Sequence, residues 1–366
     1  MKRKNGFVLQ QVGKTAILLM VTAGVISLLI SCSKKDTGSE AEPFKILYKS
    51  NVLSVPLVTI AKDRHYFEEE GLAPEYIILS SGEIEALSIG KADIMLTGII
   101  PSLSYGAQGA DVRVVGGTAS GGNFVVTKPE NVAELQDLQN WKGKRLGTVR
   151  LSTSEMVSRY SLTQLGLDVS LGSKDITFVE IDSYPNIIEA VRKGTTDIGF
   201  VDSAYKQSLD DLGLAILFPM TYMFPSYVCC RQTAYAVSLA ERPGAFVKYF
   251  KAILRAYKDY VEDQEEVVRF LARVSSQEES FVRNYIYNTH NNANRIFNPD
   301  PDLKRVSYVY ETLKRFDYVE KKGIEAQDIV DTTVYKEALD AILEQYPDED
   351  IYKQLAVDYQ ANNVSL

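Results

Sequence analysis

The chain has 366 residues, 48 acidic against 40 basic for a net charge of −8, and 45% hydrophobic residues. This balance excludes a general nucleic-acid surface, which needs clustered Lys and Arg along a phosphate backbone. Three cysteines and two histidines (His65 and His290, neither near a cysteine) exclude a disulfide framework and offer no transition-metal pattern, so neither metal nor cofactor is expected.

Lys2, Arg3 and Lys4 give a basic start, and Lys14 precedes an uncharged run from Ala16 to Ile30. About 15 residues are too few for the ~20 of a bilayer-spanning helix but suit the hydrophobic region of a signal peptide. The run closes on Leu29-Ile30-Ser31-Cys32, which is similar to the lipobox of bacterial lipoproteins. Residues 1–31 are then a leader and Cys32 the lipidated residue. The alternative is an ordinary signal peptide that ends near a cysteine. Losing the leader removes four basic residues and moves the net charge from −8 to −12. Residues 32–43 are polar and read as a tether. No second long apolar stretch follows, so the expectation is a protein anchored to a membrane without spanning it. The mature chain of about 335 residues is long enough for two lobes.

After the tether, Lys45 to Lys49 reads as a strand, a helical segment ends at Gly71-Leu72, and Tyr76 to Leu79 reads as a second strand. Residues 84–98 (IEALSIGKADIMLTG) then recur as 188–202 (IEAVRKGTTDIGFVD), with Ile, Glu, Ala, Gly, Asp and Ile at the same six places. Each copy predicts a short helix, a Gly turn and a strand starting at Asp93 or Asp197. The flanks repeat too: strand Arg145 to Val149, helix end Gly166-Leu167 and strand Ile176 to Ile181 stand in the same order. Alternating β and α elements imply parallel sheets covered by helices, and two sets imply two α/β lobes.

The first half closes with Val112 to Gly116. Gly116-Gly117-Thr118-Ala119-Ser120-Gly121-Gly122 lacks the spacings of a phosphate loop and reads as a crossover between lobes. Phe218 to Pro225 reads as the return crossover. Beyond it, Phe246, Val247, Phe250, Ile253, Leu254, Tyr257 and Val261 repeat at three and four along an amphipathic helix begun by Pro243. Further helices follow, interrupted by the turn-rich Asn288 to Pro301.

Ligands of open parallel sheets bind beyond the carboxyl ends of the strands. Those ends are Ser50-Asn51-Val52-Leu53-Ser54 and Thr97-Gly98-Ile99 in the first lobe. In the second they are Arg150-Leu151-Ser152-Thr153-Ser154 and Val201-Asp202-Ser203. Ser152, Thr153 and Ser154 open a helix, where hydroxyls and free N–H groups suit an anion; an ordinary N-cap is the other reading. Ser54, just before Pro56, holds the analogous place in the first lobe. Asp202 is either the N-cap of the following helix or a partner for an amine or ring N–H. Tyr184, Tyr205 and Tyr222 are candidate walls. Cys229 and Cys230 point to opposite faces if they lie on a strand, which suits buried, inert thiols. His65, between Arg64 and Tyr66, reads as a surface residue. The candidate ligand set is Asn51, Ser54, Thr97, Gly98, Ile99, Ser152, Thr153, Ser154, Asp202 and Tyr222, with no catalytic residue.

Several ordered marks carry a family resemblance. They are Pro56-Leu57-Val58-Thr59-Ile60-Ala61-Lys62 running into Tyr66-Phe67-Glu68-Glu69-Glu70-Gly71-Leu72, then Gly90 with Asp93. They continue with Leu138-Gln139-Asn140-Trp141-Lys142-Gly143-Lys144-Arg145-Leu146-Gly147, Gly166-Leu167, and Gly194 with Asp197. The chain resembles substrate-binding proteins of ABC transporters in the nitrate/sulfonate/taurine and thiamine-precursor group, from Phe44 to Tyr260 and more loosely beyond. Trp141 stands where that family more often has a Leu. The resemblance implies a type II periplasmic-binding fold with lobe 1 over 44–120, lobe 2 over 121–222, and a return to lobe 1 with C-terminal helices over 223–366. It further implies a monomeric, extracytoplasmic protein that captures a sulfonate, nitrate, taurine-like or aminopyrimidine solute by hinge closure. Delivery to a separate permease and ATPase is implied as well, since the chain has no Walker motif. A sensor that reports to a membrane partner needs the same cleft. An enzyme is the third reading: fungal pyrimidine synthases share the fold but carry a CCCFC segment where this chain has Thr221-Tyr222-Met223-Phe224-Pro225.

Overall fold

The computed structural model describes residues 41–364 except 50, 80, 171, 226, 288–292 and 320–322. The leader, Cys32, most of the tether, Ser50 and His290 lie outside the described residues. Among those described, no helix is long and apolar enough to cross a membrane.

The chain first lays down β1 (Glu42–Tyr48), helix α1 (Pro56–Asp63), β2 (Leu72–Ile78), α2 (Glu83–Ser88), β3 (Ile94–Gly98), α3 (Ile99–Ala107) and β4 (Val112–Ser120). It crosses at Gly121-Gly122 into β5 (Asn123–Thr127), then builds β6 (Lys144–Thr148), α4 (Thr153–Gln164), β7 (Ile176–Glu180), α5 (Tyr184–Lys193), β8 (Ile198–Asp202) and β9 (Ala215–Pro219). It returns through residues 220–227 to β10 (Val228–Tyr235), and helices α6 (Pro243–Glu262), α7 (Glu279–Tyr287), α8 (Leu303–Arg315) and α9 (Thr333–Gln345) follow, with a two-residue strand, β11 (Ile296–Phe297), before α8.

Two sheets result, in the orders β11-β4-β10-β3-β1-β2 and β7-β6-β8-β5-β9. In the first, β1 runs parallel to β2 and β3 while β10 is antiparallel to β3 and β4. In the second, β6 runs parallel to β7 and β8 while β5 is antiparallel to β8 and β9. Each sheet thus has its one antiparallel inner strand directly after a crossover. We call the part built on the first sheet lobe 1 and that on the second lobe 2.

The sequence repeat has a structural cause. Asp93 and Asp197 each stand one residue before a strand, and each carboxylate accepts from the neighbouring parallel strand: Lys45 N at 2.8 Å and Arg145 N at 2.8 Å. The same strand residues return the bond, with Asp93 N donating to Lys45 O at 3.0 Å and Asp197 N to Arg145 O at 2.9 Å. One side chain therefore fixes the register of β1 with β3, and its counterpart that of β6 with β8. Each carboxylate also holds an arginine, Arg242 on Asp93 at 2.6 Å and Arg145 on Asp197 at 2.9 Å.

Packing follows the apolar stripes. On the lobe 1 sheet, α6 buries Phe246, Tyr249, Phe250 and Ile253; Phe44 meets the Phe246 ring edge-on at 5.0 Å and stacks on Tyr249 at 5.2 Å. In lobe 2, Trp141 is fully buried and stacks on Phe218 at 6.2 Å, and its indole N–H donates to Leu135 O at 2.9 Å. An indole N–H needs such a partner when buried. The unusual Trp is a core residue.

Candidate functional site

The strand ends face each other where the lobes meet. In lobe 1, the Asn51 side chain accepts from Leu53 N at 3.0 Å, and Ser54 Oγ donates to Asn51 O at 2.6 Å, so both residues shape the turn into α1. Thr97 and Gly98 end β3 opposite Arg231 and Cys230 of β10. Ile99 is fully buried and shares an apolar cluster with Met156 of lobe 2. In lobe 2, Ser152 caps α4 by accepting from Glu155 N at 3.2 Å, and its Oγ lies 2.9 Å from Ser154 Oγ. Thr153 donates across to the Cys229 carbonyl at 3.3 Å. Asp202 accepts from Ala204 N at 2.9 Å, an N-cap, yet its second oxygen accepts from Arg295 at 2.8 Å. The structure therefore gathers Gly98, Thr153 and Asp202 around the Cys229-Cys230 step. Tyr222 stands apart: the residue is 67% exposed and lines an outer groove of about 580 Å³ with Phe218, Asn294 and Arg295.

Arg295 comes from the segment that leads into β11 and is buried, 5% exposed. One terminal nitrogen donates to Asp202, to Gly122 O at 3.0 Å and to Ser203 Oγ at 3.1 Å, while the guanidinium lies 4.2 Å from the centre of the Tyr285 ring. Burial works against the charge, and the Asp202 carboxylate more than offsets it, so the Arg295 pKa lies above its ordinary value. Gly122 is what lets the guanidinium lie flat. A Cβ there would fall 2.6 Å from Arg295 Cζ, and its φ of +89° suits glycine.

A second bridge joins the lobes at the start of α4. Glu155 is fully buried. Its Oε1 accepts from Arg159 Nε at 3.0 Å, from a terminal Arg159 nitrogen at 2.9 Å and from Tyr318 OH at 2.7 Å; its Oε2 accepts from Leu151 N at 2.7 Å. Tyr318 follows α8 and so reaches over from lobe 1. The helix start read either as an anion site or as an ordinary N-cap thus has its own carboxylate in its first turn. Ser152-Thr153-Ser154-Glu155 is an S-x-x-E pattern, which marks a capping box; that signal could have singled out Glu155. Nothing local in the turn-rich segment or after α8 pointed to Arg295 or Tyr318, whose partners are distant in sequence.

The cysteines depart from the expectation of opposite faces. Pairing of β10 with β4 slips between Val228 and Cys230 and again between Cys230 and Arg231. A bulge of this kind breaks strand alternation, and Cys230 Sγ donates to Cys229 Sγ at 3.6 Å. Tyr184 and Tyr205 pack on each other at 5.7 Å in lobe 2, and Tyr227 OH donates to Asn123 Oδ1 at 2.7 Å nearby. His65 lies on the surface, its side chain 76% exposed. Among the described residues, no group of three or more His, Cys, Asp or Glu could hold a metal ion.

A protein-family comparison decides the lineage: the family described as NMT1/THI5 like matches residues 55–267. The chain belongs to that family. No curated protein sequence matches it significantly. Solved structures place this NMT1/THI5-like chain among periplasmic-binding folds. The periplasmic aliphatic sulphonate binding protein SsuA from Escherichia coli has a TM-score of 0.64 at 18% identity, over 80% of this chain and 92% of that one. The periplasmic nitrate-binding protein NrtA from Synechocystis PCC 6803 has a TM-score of 0.67 at 15% identity, over 85% and 92%. The desulfurization enzyme DSZB has a TM-score of 0.58 at 15% identity, over 81% and 99%. At such identities the likeness is one of fold: two α/β lobes of the type II periplasmic-binding kind.

Proposed function

We propose that this protein is an extracytoplasmic, lipid-anchored solute-binding protein that closes two lobes over a small molecule and passes it to a separate ABC permease. The observation that carries this reading is the pair of polar bridges across the lobes, Arg295 to Asp202 at 2.8 Å and Tyr318 to Glu155 at 2.7 Å. They lie beside the strand ends where such folds bind ligands. Among the described strands, the order passes from one sheet to the other twice, between β4 and β5 at Gly121-Gly122 and between β9 and β10. Narrow links, one of them braced where Arg295 donates to Gly122 O, suit a hinge that shuts. The sulphonate- and nitrate-binding structural relatives support binding over catalysis. The anchor rests on the Leu29-Ile30-Ser31-Cys32 motif.

Within the ligand classes open to the family, the site favours a flat, donor-bearing molecule such as an aminopyrimidine over a sulfonate or nitrate. Glu155, held by Arg159, already places the chain's own carboxylate in the first turn of α4, where the helix dipole would otherwise favour a ligand anion. Ser152, Thr153 and Ser154 are engaged with protein partners. Asp202, though paired with Arg295 and Ala204 N, keeps spare acceptor lone pairs, and the rings of Tyr184 and Tyr205, tilted 58° to each other, add aromatic surface in the same lobe.

A thermal-shift screen of the protein lacking residues 1–32 tests this, with taurine, alkyl sulfonates, nitrate, aminopyrimidines and thiamine. A ligand at 100 times its Kd adds about 2.7 kcal/mol to the folded state. A shift with aminopyrimidines alone is expected. A shift only with sulfonates or nitrate refutes the ligand class, and no shift with any of them counts against solute capture.

A further inference from the structure

We propose that Cys229 and Cys230 form a chelating dithiol site for a soft, trivalent, pyramidal Lewis acid of the arsenous-acid or organoarsenoxide class. The bulge in β10 turns adjacent side chains that would diverge on a regular strand into a pair whose sulfurs lie 3.6 Å apart. Thiolate bonds of about 2.3 Å, the zinc–sulfur value, would then subtend an S–M–S angle of roughly 100°. Linear two-coordinate binding would need the sulfurs about 4.6 Å apart at the same bond length. Tetrahedral coordination would need further donors, and among the described residues no group of three His, Cys, Asp or Glu could supply them. The spacing therefore selects a centre that takes two sulfurs at a pyramidal angle and brings its own third substituent. Soft acids prefer thiolates.

The surroundings act on the two thiols in opposite directions. Both cysteines are free and half-buried. The hydrogen bond from Cys230 lowers the Cys229 thiol's pKa; burial opposes this, and the positive charge of Arg295 assists it. The same pairing pushes Cys230 up, as expected of the donor. The pair sits at the lobe junction. Cys229 packs against the lobe 2 core and Cys230 against the lobe 1 core, while Thr153 of lobe 2 bonds the Cys229 carbonyl. Capture of an arsenoxide involves no change of oxidation state. Two As–S bonds form, the As=O bond breaks, and the oxygen leaves as water with the two thiol protons.

The test uses the full chain carrying Cys32→Ser, which leaves two cysteines of the three. After reduction and removal of reductant, it is treated with one equivalent of phenylarsine oxide. Intact mass should show one phenylarsenic group per chain, and both thiols should become unreactive to a maleimide. Adding Cys229→Ser or Cys230→Ser should weaken retention at least 100-fold, with unchanged circular dichroism verifying the fold. The proposal is overturned if both thiols remain alkylatable after treatment of the parent, a readout that needs no cysteine-pair variant. It is also overturned if either single variant retains the arsenical as the parent does. Loss of both thiols in an untreated control would overturn it as well, by assigning the pair to a disulfide.

Discussion

Arg295 and Asp202 meet at 2.8 Å between a lobe 1 segment and a lobe 2 strand end, the arginine side chain 4% exposed and the aspartate 22%. Because breaking a buried pair strands the remaining charge, its removal costs far more than a surface pair does. Arg295→Met keeps the stem over Tyr285 and removes the charge. We expect a loss of about 2–3 kcal/mol, below the roughly 3–5 of a fully buried pair because Asp202 keeps some water contact. Denaturant unfolding of the variant should show it. A midpoint equal to the parent's would mean that the bridge is idle.

Gly122→Ala should interact with that change. In the parent, the new methyl would collide with the guanidinium at 2.6 Å and strain a φ of +89°. We expect a loss of about 2 kcal/mol or more from backbone strain and displacement of Arg295 together. In an Arg295→Met background the guanidinium clash is gone and only the backbone part, about 1 kcal/mol, should remain. A double-mutant cycle reads this difference as non-additivity. Strict additivity would place the cost elsewhere.

The two-lobe architecture could be read from the chain because its cause is local and repeated. Asp93 and Asp197 occupy the same place in two copies of one helix–turn–strand unit, and each ties its strand to the next through Lys45 or Arg145. Strand ends shifted by a residue or a few; β1, for instance, begins at Glu42. The candidate site was legible only as far as local chemistry reaches. Asp202 and Ser152 do cap, as one reading of each held. Arg295 lies 93 residues from Asp202, and Tyr318 lies 163 from Glu155. Such partners are chosen by lobe docking and leave no spacing to find. The cysteines' expected divergence presupposed a regular strand, and a bulge depends on pairing with β4.

Tyr318→Phe isolates the second bridge. The ring keeps its place 5.9 Å from the Arg159 guanidinium, and only the hydroxyl that donates to Glu155 is lost. Hydrogen bonds to charged groups contribute about 1.5–3 kcal/mol. Arg159 and Leu151 still satisfy the carboxylate, which places the expected loss near 1.5. Since the bond spans the lobes, the variant should also scatter as a more open particle, with a larger radius of gyration in small-angle X-ray measurements. A stability loss with no change in scattering would make the bond a packing feature and not a latch.

Asp300 gives a pH signature that lobe contacts do not. It is 4% exposed; Asp302 N donates to it at 2.8 Å and Asn363 Nδ2 lies 3.1 Å from each of its oxygens. Burial raises its pKa to about 6, with the Asp302 charge adding to the rise and Asn363, the Asp302 N–H and Arg231 opposing it. The ordinary value near 3.9 applies to the unfolded chain. The folded state therefore holds the proton more tightly, and this group's contribution to stability is complete below about pH 4 and is lost as pH rises through about 6. Asp300→Asn cannot titrate. Its stability relative to the parent should increase by on the order of 2–3 kcal/mol between pH 4 and pH 7, whatever constant offset the amide introduces. Taking the difference cancels the other titrating groups, which both proteins share. Urea unfolding of both proteins across that range measures it, and a flat difference would mean that folding leaves the Asp300 pKa where it is in the unfolded chain.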